Sequence, residues 1–203
     1  MVRYGMVIDL RRCIGCRACV VACKQGNATP PGVFWTRVMS YEEGVYPNAK
    51  LRFLPILCMH CKEAACVKVC PTGATTKRDD GIVIVDSKKC VGCRYCIIAC
   101  PYSVRFFVPK KPKGYYPGKG YTPYEEVRYR EHEWGVVQKC NFCLSRVEKG
   151  EEPLCVQTCP ASARYFGNLD DPNSVVSQLI VKRRGYQLRA ELGTDPSVYY
   201  LPP

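Results

Sequence analysis

The 203 residues suffice for one large or two small domains, and they carry sixteen cysteines and a formal charge of +12. The most apolar stretches, such as 91–99 and 175–181, are too short or too interrupted to cross a bilayer, which excludes a membrane span. The charge by itself points toward nucleic acid, but anions held by the cysteines would absorb much of it.

Residues 1–5 lead almost directly into the first cysteine group, with neither a signal peptide nor a twin-arginine segment, so any export is expected to depend on another chain. Group one is Cys13, Cys16, Cys19 and Cys23, with gaps of two, two and three residues. Group two is Cys58, Cys61, Cys66 and Cys70, with gaps of two, four and three, followed by Pro71. Residues 75–77 and 82–85 then predict a hairpin around the Asp80-Gly81 turn. Group three, Cys90, Cys93, Cys96 and Cys100, repeats the gaps of two, two and three and precedes Pro101. Group four is Cys140, Cys143, Cys155 and Cys159, with gaps of two, eleven and three, followed by Pro160.

Every cysteine falls in a group. Neighbouring cysteines of a Cys-x-x-Cys pair rarely bridge without strain, so a disulfide framework is a poor reading. A peptide loop wrapped around one iron–sulfur cube requires such pairs, and groups one and three have the bacterial ferredoxin spacing, although group one lacks the proline. The expected cofactors are four 4Fe–4S clusters. Each cube with its thiolates carries about −2 oxidised and −3 reduced, so four of them bring the chain to about +4 and about zero respectively. The segments Cys70-Pro-Thr-Gly-Ala-Thr, Cys100-Pro-Tyr-Ser-Val-Arg and Cys159-Pro-Ala-Ser-Ala-Arg repeat one unit, a helical turn that the proline ends.

Residues 109–138 break the pattern. Their prolines and glycines predict irregular structure, and five tyrosines with Trp134 suit either a partner interface or a loop folded back over the chain's own clusters. The tail predicts a helix from Val175 to about Lys182 capped near Ser174, then an extended run over 194–201.

In paired-cluster ferredoxins the fourth cysteine of a run ligates the other cube. Only 19 residues separate Cys70 from Cys90, so groups two and three are expected to form one pair, leaving groups one and four to pair across the chain. The expected ligand sets are Cys13, Cys16, Cys19 with Cys159; Cys140, Cys143, Cys155 with Cys23; Cys58, Cys61, Cys66 with Cys100; and Cys90, Cys93, Cys96 with Cys70. The expected fold is α+β, two nested ferredoxin-like modules: 1–54 plus 109–203 for groups one and four, and 55–108 for groups two and three. Basic residues crowd the loops (Arg11, Arg12, Arg17, Lys24, Lys62, Lys68, Lys88, Lys89, Arg94, Lys139, Arg146), and positive charge near a cluster raises its potential. His60 sits in a group already complete in cysteine, which assigns it to packing or to a place beside the cluster. His132 is expected in solvent. No acid–base constellation or phosphate loop is present, so no catalytic residue is assigned.

The order of the groups and several phrases resemble one known family. These are residues 6–9 (Met-Val-Ile-Asp), 32–35 (Gly-Val-Phe-Trp), Cys66-Val-Lys-Val-Cys70-Pro-Thr-Gly-Ala74, Cys140-Asn-Phe-Cys143 and 167–172 (Gly-Asn-Leu-Asp-Asp-Pro). The chain is similar over nearly its whole length to the four-cluster subunits of molybdenum enzymes of the dimethyl sulfoxide reductase class, above all those of polysulfide, thiosulfate and arsenate reductases. The resemblance implies an electron-transfer subunit without substrate chemistry of its own. Its partners would be a molybdopterin-containing catalytic subunit and a quinone-interacting integral membrane subunit. The implied location is peripheral, at the extracytoplasmic face of the cytoplasmic membrane, with export alongside the catalytic partner. The full set of sixteen cysteines departs from nitrate reductase counterparts, in which a tryptophan replaces one. The end at Pro203, with no membrane helix before it, departs from formate dehydrogenase counterparts. A free polyferredoxin is the nearest alternative. A zinc-stabilised nucleic-acid-binding module is a remote one, since zinc groups also use Cys-x-x-Cys pairs.

Overall fold

The computed structural model describes residues 2–116 and 118–203; Met1 and Pro117, which fall in the N-terminal and proline-rich stretches, lie outside the described residues. In chain order come β1 (Tyr4–Asp9), α1 (Ala18–Gly26), a long hairpin of β2 (Thr36–Glu43) and β3 (Lys50–Leu57), the one-turn helix α2 (Ala65–Lys68), and a short hairpin of β4 (Thr75–Lys77) and β5 (Val83–Val85). The one-turn helix α3 (Tyr95–Ile98), β6 (Phe106–Val108), α4 (Pro123–Arg128), β7 (Val136–Gln138) and two more one-turn helices, α5 (Leu144–Val147) and α6 (Leu154–Gln157), follow. The chain closes with β8 (Arg164–Asn168), α7 (Val175–Lys182), β9 (Tyr186–Gln187) and β10 (Val198–Leu201).

The cysteine gaps explain the small helices. α1, α2, α3 and α6 each carry the third cysteine of a group, and α2, α3 and α6 stop just before the fourth. Proline after that fourth cysteine cannot continue a helix. The chain instead reverses through a left-handed residue at the same place in each repeat: Gly73 (φ 65°), Ser103 (φ 51°) and Ser162 (φ 45°). The reversal turns backbone N–H groups back onto sulfur. Thr75 N–H donates to Cys70 Sγ and Ala163 N–H to Cys159 Sγ, each at 3.3 Å.

The two ends of the chain share one sheet, in the order β8-β1-β10-β9. β1 pairs antiparallel with β8 and parallel with β10. Buried almost throughout on both faces, it reads as an apolar run rather than an alternating strand. The last stretch before β10 crosses the group-two loop: Lys62 N–H donates to Asp195 O, Glu63 N–H to Thr194 O, and Ser197 N–H to Met59 O. One hydrophobic core therefore joins Met6, Ile8, Tyr200 and Phe142 to Leu57, Met59 and Ile82. The α7 helix has the expected bounds, with Ser174 accepting a hydrogen bond from Ser177 N–H, and it buries Val176 completely, worth about 1.5–3 kcal/mol for a residue of that size.

Two segments differ from the sequence reading. The long β2–β3 hairpin follows from none of the sequence expectations. Its tip and outer face are exposed, Tyr46 to 91%, so its strands lack the strict alternation of a half-buried strand. Residues 109–138 are not irregular throughout. Thr122 and Glu125 form a capping box with Pro123 at the first helical position, and this starts α4 despite the surrounding glycines. The segment then folds back on the chain. Tyr115 and Tyr124 hydroxyls donate to Thr29 O and Gln25 O, Arg128 donates to Gly26 O, and Tyr129 is buried.

Candidate functional site

The group loops and their helices draw the cysteines into four sets. Cys13, Cys16 and Cys19 line a cavity together with Cys159. Cys140, Cys143 and Cys155 line a second with Cys23. Cys58, Cys61 and Cys66 line a third with Cys100. Of the remaining four, Cys96 lies near Cys90 and Cys70, and Cys93 is exposed at the surface. Among the described residues, no three His, Cys, Asp or Glu side chains converge on a point where one metal ion could sit. A zinc site needs its sulfurs about 2.3 Å from a single ion; cysteines standing on the walls of a cavity suit a cluster with an iron at each corner.

Local backbone makes the loops possible. Gly15 and Gly92 occupy the same place in the first and third groups, at φ 69° and 68°. A side chain at Gly15 would meet the Phe53 ring at 2.3 Å, because β3 lies against the Cys13–Cys16 loop.

Burial keeps several of these thiols protonated until a metal takes the proton's place. Burial, with Cys155 and Cys143 close by, pushes the Cys23 thiol up to about 12. Burial and Cys58 push Cys61 up to about 12, and burial pushes Cys155 up to about 11. Four such sulfurs around one cavity repel each other as thiolates unless iron replaces their protons. The residues present therefore fit the clusters, whose chemistry when bound is one-electron transfer.

Positive charge reaches the sets from within. Arg164 is buried, with Nη2 3.4 Å from Cys19 Sγ, and Cys155 also meets its guanidinium. Arg105 is buried beside Cys66, Cys58 and Cys96. Lys139 is buried between Val83 and Cys140, donating to the carbonyl oxygens of both. Lys139 is thus the one expected basic residue found at the core of the site. Lys68, Lys89 and Arg146 instead pair with Glu63, Asp86 and Glu151 near the surface. Arg105 and Arg164 were not among the expected basic residues, although both end the repeated Cys-Pro-x-x-x segment.

The second and fourth groups meet at the middle of the molecule, where Cys58 lies near Cys140. His60 stacks on Phe142 there, ring centroids 3.7 Å apart, and its Nδ1 accepts from Val83 N–H at 3.0 Å. His60 lines none of the cysteine cavities. His132 is not in solvent: it stacks on Trp134, and its Nε2 lies 3.1 Å from Asn27 O. Asn27 in turn reaches Cys23 Sγ and Cys143 Sγ at 3.6 and 3.9 Å, a contact that no sequence motif signals.

Comparison with known proteins agrees with this chemistry. One family model, a 4Fe-4S dicluster domain, matches residues 49–115 and 107–169, and a second of the same description matches residues 12–74. The chain is 47% identical to the putative iron-sulfur subunit of a dimethyl sulfoxide reductase from Halobacterium salinarum, covering 99% of this chain and 79% of that protein. It is 44% identical to a selenate reductase subunit of Mesobacillus selenatarsenatis (98% and 72% covered) and 39% identical to the arsenate respiratory reductase iron-sulfur subunit of a Shewanella species (98% and 96%). The chain belongs to this family of 4Fe–4S dicluster iron–sulfur subunits of reductase complexes. It is an electron-transfer subunit that holds four 4Fe–4S clusters, and it is not the catalytic subunit.

Proposed function

We propose that this chain carries electrons along a row of four clusters between a quinone-interacting integral membrane subunit and a molybdopterin-containing catalytic subunit that acts on an oxyanion or sulfur compound. The row is what supports the reading. Arg105 touches the second and third cysteine groups, Cys58 approaches Cys140, and Arg164 touches the fourth and first groups. The order is therefore three, two, four, one. Exposed cysteines occur only at its ends, Cys93 and Cys16. Beside them lie exposed apolar side chains, Val91, Tyr95 and Ile98 at one end and Ile14 and Val21 at the other. Two such ports suit two partners, one giving and one receiving electrons.

The ligand sets follow the crossed rule, with Cys159 and Cys23 exchanged between groups one and four and Cys100 and Cys70 between groups two and three. This makes two nested modules, 1–54 plus 109–203 and 55–108, and the pairing of β1 with β8 and β10 supports it. The complex would stand at the extracytoplasmic face of the cytoplasmic membrane. No helix among the described residues is long and apolar enough to cross a membrane, which accords with a peripheral place.

Iron analysis and EPR test the reading. The anaerobically purified chain should hold about sixteen irons, and Cys159→Ser should alter the cluster of group one while leaving that of group four intact. Eight irons, stoichiometric zinc, or damage from Cys159→Ser confined to group four would overturn it.

A further inference from the structure

Of the buried cations without a carboxylate partner, Lys139 donates to two backbone carbonyl oxygens, while Arg105 and Arg164 face sulfur. Arg105 and Arg164 are each 4% exposed, and among the described residues neither forms a salt bridge. A guanidinium in that position is stable only if another anion compensates it. The anions at hand are cysteine sulfurs, and each arginine faces sulfurs of two different sets. Arg164 Nη2 lies 3.4 Å from Cys19 Sγ, and the same guanidinium meets Cys155. Arg105 meets Cys66 and Cys58 of one set and Cys96 of the next. Its Nη2 has no hydrogen-bond partner in the protein.

The two sites are built alike. Each arginine stands five residues after the last cysteine of its group, Cys100 and Cys159. Each is held by a neutral threonine: Arg105 Nη1 donates to Thr75 Oγ1 at 3.3 Å and Arg164 Nη2 to Thr36 Oγ1 at 3.2 Å. A neutral holder leaves the full positive charge for the sulfurs.

We propose that Arg105 and Arg164 are positioning charges for electrons, one for each cluster pair, each raising the reduction potentials of both its clusters together. The inference rests on the crossed ligand sets proposed above. A cube gains one negative charge when it accepts an electron, and a fixed cation in a poorly screened interior favours the more negative state. Because one guanidinium touches two cubes, its effect falls on both members of a pair and is weak at the other pair. Each pair then offers an electron two neighbouring acceptors lifted together rather than a step between them.

The test is a redox titration followed by EPR, on the holo chain with Arg105 or Arg164 replaced by methionine or lysine. Arg164→Met should shift two of the four clusters, those of groups one and four, to lower potential. Arg105→Met should shift the other two, and lysine should restore much of each shift. A shift of one cluster only, an equal shift of all four, no shift, or the same shift for lysine as for methionine would overturn the proposal. Where a methionine variant fails to load its pair, the lysine variant decides. Loading with both potentials close to wild type supports the role of charge, and failure to load overturns it. The underlying reading fails separately: wild-type protein with other than four clusters refutes the ligand sets, whereas unmoved potentials in four-cluster variants refute only the charge assignment.

Discussion

At the scale of single residues, the sulfur ligands are surrounded by side chains with one task each. His60 shows how a residue inside a cysteine loop escapes ligation. Its φ of 43° turns the ring away from its own cavity and onto Phe142, and its Nδ1 is taken by Val83 N–H. Burial, with Lys139 and Arg105 nearby, holds the imidazole well below its usual titration range, so it is neutral with the proton on Nε2. His60→Phe keeps the stack but strands the Val83 N–H. The expected cost is about 1–3 kcal/mol of stability, with iron content unchanged. Loss of iron in a variant that remains folded would mean that His60 ligates after all.

At the scale of elements, the insert of residues 109–138 is a brace. α4 is short, and its start depends on Glu125, which accepts from the Thr122 and Tyr115 backbone N–H groups. Beyond it, His132 supports Asn27, which approaches two cysteine sulfurs. Thr122→Ala removes half of the capping box and should cost about 1 kcal/mol, measured as a lower midpoint of thermal unfolding in the holo protein. Hydrogen exchange should show the loosening first in residues 121–131. Uniform loosening of the chain would show that α4 does not open by itself. The β2–β3 hairpin has the opposite character. It covers the group-one loop through Phe53 and leaves Met39, Tyr41, Val45 and Leu51 exposed.

At the scale of the whole molecule, the cysteine sets are graded in protection. All four cysteines of the set containing Cys140 are buried, while each end set exposes one. Exchange of iron requires water and chelator to reach sulfur. Iron should therefore leave in at least two phases under a chelator in air, with the clusters of groups one and three lost first and the Cys140 cluster last. EPR of the surviving signals follows the order. Simultaneous loss of all four would show that opening is global.

The number of clusters and the electron-transfer role were legible in the sequence, because a loop that wraps one cube needs cysteines at fixed short gaps, and such gaps survive in one dimension. The hairpin of β4 and β5 and the α7 helix were legible for the same reason, since turn and cap residues act within a few positions of themselves. The folded-back insert and the β2–β3 hairpin were not, because their partners lie far away in sequence: Tyr115 meets Thr29, and Phe53 meets Gly15. The buried arginines show the divide most sharply. Arg105 and Arg164 end a repeat that was visible from the outset, yet nothing in the repeat tells a buried guanidinium from a solvated one. Only tertiary packing placed each between two sets of sulfurs, because burial is a property of what the rest of the chain lays over a residue.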